Sequence, residues 1–111
     1  MPQAKSVDSA ATAARRPATA TEVVSQLSQL PGWSLDGDGA AVCIRKSFTC
    51  SNFQDAMAFA HAVAWLAQCL SHQPELRIAG RCCEVRWSSP DLAGLSIMDF
   101  DAAARTDALQ A

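Results

Sequence analysis

The stretch from Ser51 to His72 constrains the fold of this chain more than any other. Ser51 and Gln54 are spaced as a capping box, and Pro74 is expected to end the helix that follows. Apolar residues recur in it every three or four positions, at Phe53, Met57, Ala60, Val63, Ala64, Ala67 and Leu70. About 21 residues at roughly 1.5 Å each make a helix of about 30 Å. Its many alanines predict close packing on a sheet.

Two hairpins flank this helix. The glycines of the tract 36–39 permit a tight turn between two apolar runs, and Gly80 lies between two more. In the last run Cys83, Val85 and Trp87 alternate with polar or smaller residues, which is typical of a strand with one buried face. The four strands are therefore expected over residues 33–35, 41–48, 75–79 and 82–88.

A shorter helix at each end completes the pattern. Thr19 and Glu22 predict a capping box for the first helix, which should end at Pro31. Ser96 and Asp99 predict the cap of the last helix. The residues expected to face inward are Val23, Leu27 and Leu30 in the first helix and Ile97, Phe100, Ala104 and Ala108 in the last.

The order α-β-β-α-β-β-α predicts an α+β fold. We expect a two-layer sandwich, with a four-stranded antiparallel sheet and three helices on one face. The other sheet face then meets water or a partner. Arg45, Glu84 and Arg86 are predicted to point to that open face, either as a partner-binding surface or as a solvated one.

Length and composition restrict the class of protein. The 111 residues, half of them hydrophobic, suffice for one domain, which we expect over 19–111 after a disordered tail at 1–18. A net charge of −2 disfavours nucleic-acid binding. No apolar run is long enough for a membrane span and no secretory signal precedes the domain, so a cytoplasmic protein is expected.

The five cysteines form no CxxC pair and no Cys/His spacing suited to zinc. Reduced thiols in a cytosol are the favoured interpretation, and no metal or cofactor is predicted. A redox switch at Cys82 and Cys83 is the alternative, although neighbours on a strand point to opposite faces.

The motifs after the long helix resemble those of the pterin-4a-carbinolamine dehydratase family. The likeness extends from about Val23 to Ala108 and rests on order and spacing. Its elements are Gly32-Trp33, Phe53, Val63-Ala64, Leu70-Ser71-His72-Gln73-Pro74-Glu75, the run from Trp87 to Ser96, and Asp99. The resemblance implies the same α+β fold and assembly into dimers or tetramers.

The family's chemistry removes a hydroxyl from a hydroxylated tetrahydropterin, and the resemblance implies three histidines for proton transfer. Histidine suits this task because its ordinary pKa is near 6.5. Here His72 matches the first of them, whereas Gln73 and Pro90 stand at the second and third positions. Gln68 stands where the family usually has an acid, and Gly80 where it usually has an aromatic residue.

The retained positions suggest the frame of a family pocket without its full chemistry. The residues assigned to this vestigial pocket are Trp33, His72, Gln73, Pro74, Ser89, Pro90, Asp91 and Asp99. An activity that survives would use His72, helped by Asp91 or Asp99. Alternatively, His72 only stabilises the C-terminus of the long helix, and His61 is a surface or packing residue.

Loss of two proton carriers leads to the expectation that the chain is not an enzyme. The resemblance to degenerate family members predicts a non-catalytic assembly factor, a chaperone for RuBisCO subunits, acting as a homodimer in carbon fixation and associated with carboxysomes. Two alternatives remain: a divergent dehydratase using His72, and a cofactor for dimerisation of a transcription factor. Trp65 is expected in the core or at an oligomer contact.

Overall fold

The helices and strands follow in the predicted order. A computed structural model describes residues 16–92 and 94–110, so the expectations for residues 1–15 lie outside the described part. The elements are α1 (Ala20–Leu27), β1 (Ser34–Asp36), β2 (Cys43–Thr49), α2 (Phe53–Leu70), β3 (Glu75–Ala79), β4 (Cys82–Trp87) and α3 (Ile97–Leu109). Single 3₁₀ turns at Gly39–Ala41 and Pro90–Leu92 lie in two of the connections.

The four strands form one antiparallel sheet in the order β1-β2-β4-β3. The long central strands β2 and β4 pair from Ile44 opposite Trp87 to Thr49 opposite Cys82. Alternate side chains of both strands point toward the helices and are buried, among them Ile44, Phe48, Cys83, Val85 and Trp87. The α+β sandwich with three helices on one face is thus confirmed.

The ends of α2 differ from the predicted ones. Its N-cap is Asn52, whose side-chain oxygen accepts the backbone N–H of Asp55 at 2.8 Å, so the prediction of a Ser51–Gln54 capping box was wrong. The helix ends at Leu70 because Ser71 adopts a left-handed conformation (φ 51°, ψ 41°), three residues before Pro74. This turn places His72 just beyond the helix.

The buried faces of two helices also differ from the predicted ones. On α2 the buried residues are Ala56, Ala60, Val63 and Ala67, whereas Phe53, Met57 and Ala64 are exposed. On α3 the expected Ala104 and Ala108 are exposed, and Asp99, Phe100, Ala102, Ala103 and Thr106 are buried. The polar side chains of Asp99 and Thr106 can be buried because each has a hydrogen-bonding partner in the core. The pattern of apolar residues in the sequence does not reveal these partners.

The first described residues, 16–18, make contacts with the rest of the domain. The backbone N–H of Ala18 donates to the carbonyl of Leu95 at 2.7 Å, and Arg16 pairs with Glu22 at 2.7 Å. Thr19 caps α1 through the predicted box with Glu22, which is confirmed, although α1 ends at Leu27. Within the described residues, no helix has the length and apolar character needed to cross a membrane.

Candidate active site

A buried histidine–aspartate pair joins the end of α2 to the start of α3. Nε2 of His72 lies 2.6 Å from Oδ1 of Asp99, and the two side chains are 7% and 0% exposed. The turn at Ser71 allows this contact, because it directs the His72 backbone N–H to the Ala67 carbonyl and the ring toward the core. The interpretation of His72 as a helix-end residue alone is therefore insufficient.

The Asp99 carboxylate is held on its other side as well. Its Oδ2 accepts the Ser89 hydroxyl at 2.8 Å and the backbone N–H of Ser96 at 2.9 Å, while the two serine hydroxyls lie 3.0 Å apart. Since Oδ2 of Asp99 accepts from both serines, Oδ1 is assigned as the acceptor of the Nε2–H of His72. In the neutral ring, Nδ1 is then the nitrogen left to exchange a proton with a ligand.

Trp87 fixes the plane of the imidazole. Its ring stacks on that of His72 with centroids 5.5 Å apart and planes at 15°. Trp87 is itself fully buried, and its Nε1–H donates to the Thr106 hydroxyl at 3.0 Å. Strand β4 and helix α3 thus position the histidine from two sides.

His72 also lines an open pocket of about 730 Å³. The pocket lies between the C-terminal half of α2 and the start of β3, and its walls are Ala64, Ala67, Gln68, Ser71, His72, Gln73, Pro74 and Leu76. This volume is in the range of small-molecule sites. A titratable ring with a fixed orientation at the wall of such a pocket can act as a general acid or base.

The other predicted pocket residues lie in different places. Gln73 and Pro74 line the pocket, and Ser89 and Asp99 stand behind His72. Pro90 and Asp91 are exposed in a 3₁₀ turn. Their assignment to the pocket stays a prediction, although neither belongs to its wall.

Trp33 is separate from this pocket wall. It is buried against Phe48, with ring centroids 6.0 Å apart, and its Nε1–H donates to Asp107 at 3.1 Å. Lys46 reaches the same carboxylate at 2.9 Å. Trp33 therefore connects the first hairpin to α3.

Sequence reasoning missed two contributors to the site. Trp87 was expected in the core but not as the stacking partner of His72, and Ser96 was expected only as a helix cap. The spacing of Ser96 and Asp99 is a local signal for the cap. This local signal does not indicate a contact with His72, which is 27 residues from Asp99 in the chain.

The predicted open-face residues come together in an ion-pair network. Glu84 contacts Arg86 at 2.6 Å and Arg45 at 3.2 Å, and Arg86 reaches Asp36 at 2.9 Å. The hydrogen bond from Arg86 is the main cause that lowers the pKa of Glu84 below its usual value; burial opposes it, and the positive charges of Arg86, Arg45 and Arg77 add to the lowering. Whether this surface binds a partner stays a prediction.

This network should make stability depend on acidity. Because the pKa of Glu84 is lower in the folded protein, its contribution is complete above the unfolded value near 4.5 and is lost as pH falls through the folded value. Replacing Glu84 with glutamine should therefore destabilise the protein more at pH 7 than at pH 3. Denaturant unfolding at both pH values measures this difference. Glu75→Gln, on the more exposed side of the network, should show a smaller change, and equal effects of Glu84→Gln at both pH values would contradict the assignment.

The described fold and site define a class of α+β proteins with a histidine–carboxylate pair beside a ligand-sized pocket. Residues 16–109 match the family described as pterin 4 alpha carbinolamine dehydratase. The chain belongs to this family, as its sequence motifs indicated.

Curated relatives support the assignment over most of the chain. A protein of Paracidovorax citrulli named "Putative pterin-4-alpha-carbinolamine dehydratase" is 43% identical over 98 residues, which cover 88% of this chain and 84% of the relative. A protein of the same name from Aromatoleum aromaticum is 39% identical over 84% of this chain and 81% of its own length.

Two solved structures share the fold. The "transcriptional coactivator/pterin dehydratase" of Brucella melitensis has a TM-score of 0.78 at 25% identity, covering 86% of this chain and all of that one. A pterin dehydratase-like protein described as a RuBisCO assembly factor in the α-carboxysome has a TM-score of 0.59 at 22% identity, covering 70% and 88%. The second likeness is one of fold.

These comparisons correct the expectation that the chain is not an enzyme. The relatives that cover most of its length carry the name of an enzyme, and the family is named for that activity. The expectation relied on the absence of imidazoles at Gln73 and Pro90. The sequence offered Asp91 and Asp99 as possible helpers of His72, but did not show that Asp99 is fully buried against its ring, an arrangement that suits proton transfer.

Proposed function

We propose that this protein dehydrates a 4a-hydroxylated tetrahydropterin and that His72 carries the proton. The observation that supports this most is the 2.6 Å contact between His72 and buried Asp99 at the wall of an open pocket. Membership of the dehydratase family supplies the reaction. The divergent-dehydratase alternative from the sequence is thus the preferred one.

The proposed reaction needs a proton removed from a ring nitrogen and a proton given to the departing hydroxyl. The hydroxyl and the proton from the ring nitrogen leave together as one water molecule. The protein therefore has the same protonation state before and after turnover. A single imidazole can therefore serve both steps, taking up a proton at Nδ1 and returning it there. Asp99 keeps the ring in the required tautomer and stabilises its charged form in between.

The expected rate is below that of a site with more histidines. A well-placed acid or base contributes about 10² to 10⁴ in rate, and Gln73 and Pro90 provide no titratable group. The neutral Gln73 amide at the pocket wall can bind a ligand but cannot transfer its proton.

The direct test uses purified protein and freshly generated 4a-hydroxytetrahydropterin, with loss of the substrate followed by its ultraviolet absorbance. We expect dehydration clearly faster than in buffer, and proportional to protein concentration. A rate equal to that in buffer over the whole range would overturn the proposal.

As a second candidate role for the same protein, we propose binding of a protein client, RuBisCO subunits in particular, by a homodimer at carboxysomes. It is favoured by the outward face of α2, where Phe53, Met57 and Trp65 are exposed and where Asp55 is the single aspartate, glutamate, lysine or arginine of the helix. An apolar surface of this kind is typical of protein contacts. A transcriptional partner would fit the same chemistry.

Co-expression of the protein with RuBisCO subunits tests this client-binding role. Assembled RuBisCO should increase in yield when the chain is present, and Trp65→Ala should reduce the increase because the indole, 62% exposed, is the largest apolar group on this face. Leu109→Ala, at an exposed apolar residue on another helix, is the control. An unchanged yield with the wild-type chain would contradict this role.

A further inference from the structure

The pocket beside His72 has an unusual wall: its polar residues are almost all uncharged. Gln68, Ser71 and Gln73 supply the hydrogen-bonding groups, and His72 alone can titrate among the residues that form the wall. Among the described residues that form this wall there is no lysine, arginine, aspartate or glutamate. A ligand with a formal negative charge therefore finds no permanent counter-ion among the described wall residues, since His72 is cationic only when it holds an extra proton.

The two glutamines of the wall flank the histidine along the chain. Gln68 lies on the last turn of α2, four residues before His72, and Gln73 follows His72 directly. Neither side-chain amide makes a hydrogen bond to another described residue. Each retains one acceptor and two donors for a ligand, whereas a carboxylate or an imidazole in these places would bring charge.

The charges near the pocket are directed elsewhere. Along β3, Leu76 faces the pocket while Glu75 and Arg77 alternate to the open sheet face. There they pair with each other at 3.2 Å, and Glu75 also approaches Arg86 at 3.6 Å. The ionisable group in contact with the His72 ring is the Asp99 carboxylate, which repels an anion.

Resting on the proposed pterin chemistry, we propose that Gln68 and Gln73 are specificity-determining residues that select an uncharged pterin. A carboxamide matches the amide-like edge of a pterin ring, which offers an amino group, a ring N–H and a carbonyl in one plane. A pterin that carries a carboxylate or phosphate is disfavoured because the wall has no cation and Asp99 lies behind the ring.

Equilibrium binding of two fluorescent pterins tests the assignment without any need for turnover. We expect 6-hydroxymethylpterin, which is uncharged at neutral pH, to bind about tenfold more tightly than pterin-6-carboxylate. Gln68→Leu and Gln73→Leu should each weaken binding of the uncharged probe by about tenfold, the effect of one or two lost hydrogen bonds. Gln68→Lys should strengthen binding of the carboxylate by about fivefold.

Gln54→Leu is the matched control, since Gln54 is an exposed glutamine of the same helix outside the pocket wall and should leave both affinities unchanged. Equal binding of the two probes, wild-type affinity in both leucine variants, or binding of neither probe would overturn the assignment. If binding depends on the glutamines but substrate is not dehydrated, the proposed catalytic function fails and the specificity assignment stands. If substrate is dehydrated but neither glutamine affects binding, the specificity assignment fails and the proposed catalytic function stands.

Discussion

Replacing His72 with alanine is expected to reduce pterin dehydration by about 10² to 10⁴, to a rate near that in buffer. His72 is the titratable side chain of the pocket wall, and its neighbours there have no ionisable group to take over the proton. The measurement is the initial rate over a range of substrate concentrations. Because proton transfer rather than binding is removed, the loss should fall mainly on kcat.

The matched control is His61→Ala, the other histidine of the chain, which is exposed on α2. It should retain the wild-type rate. Removing His72 also takes a donor from the buried Asp99, which costs about 1 to 3 kcal/mol of stability, so folding of the variant must be verified by circular dichroism at the assay temperature. A folded His72→Ala protein with the wild-type rate would assign proton transfer to another group.

Asp99→Asn provides a second variant at the same pair. The amide retains nearly the same shape but offers His72 a different hydrogen-bonding pattern, so the ring loses its fixed tautomer. We expect a loss in kcat with a changed pH dependence of the rate. A residue that served only the fold would leave the pH dependence of the folded enzyme as it was.

Trp87→Ala should have the largest effect on stability, a decrease of about 3 to 5 kcal/mol in the free energy of unfolding. The side chain is fully buried at the end of the central strand β4, and its loss leaves a cavity between β4 and α3. The Thr106 hydroxyl also loses its indole donor. Urea unfolding followed by circular dichroism measures the change.

Trp65→Ala is the comparison for this substitution, because it removes the same side chain from a site that is 62% exposed. Its effect on unfolding should stay within about 0.5 kcal/mol. Trp87→Phe keeps a ring against His72 but cannot donate to Thr106, and should lie between the two. Similar values for Trp87→Ala and Trp65→Ala would contradict the packing described above.

Elements defined by local rules were predictable from the sequence. The glycines of the tract 36–39 predicted the first hairpin, and the alternation around Val85 predicted which face of β4 is buried. The cap of α2 was assigned to Ser51, one residue too early, because Ser51 and Asn52 are adjacent cap-forming residues and only the backbone geometry selects one. Its end was misplaced because a left-handed serine is uncommon and has no clear signal in the pattern.

The candidate site was predictable only in its parts. Family resemblance identified His72 and Asp99 as residues of interest, but named Asp91 as an equal alternative for the histidine's helper. The structure selects Asp99, because α3 brings its first turn against the end of α2. The expectation of an inactive protein came from counting imidazoles, because the sequence alone did not show how firmly the remaining one is held.

The sequence by itself determined the order of helices and strands, the buried face of the central strands and the family to which the chain belongs. These features depend on periodicity, capping and turn residues, and on motif spacing along the chain. Only the tertiary structure decided which carboxylate holds His72, that Trp87 stacks on its ring, and that the pocket wall is uncharged. Such contacts join residues far apart in the chain, and the packing of α2, α3 and the sheet sets their distances.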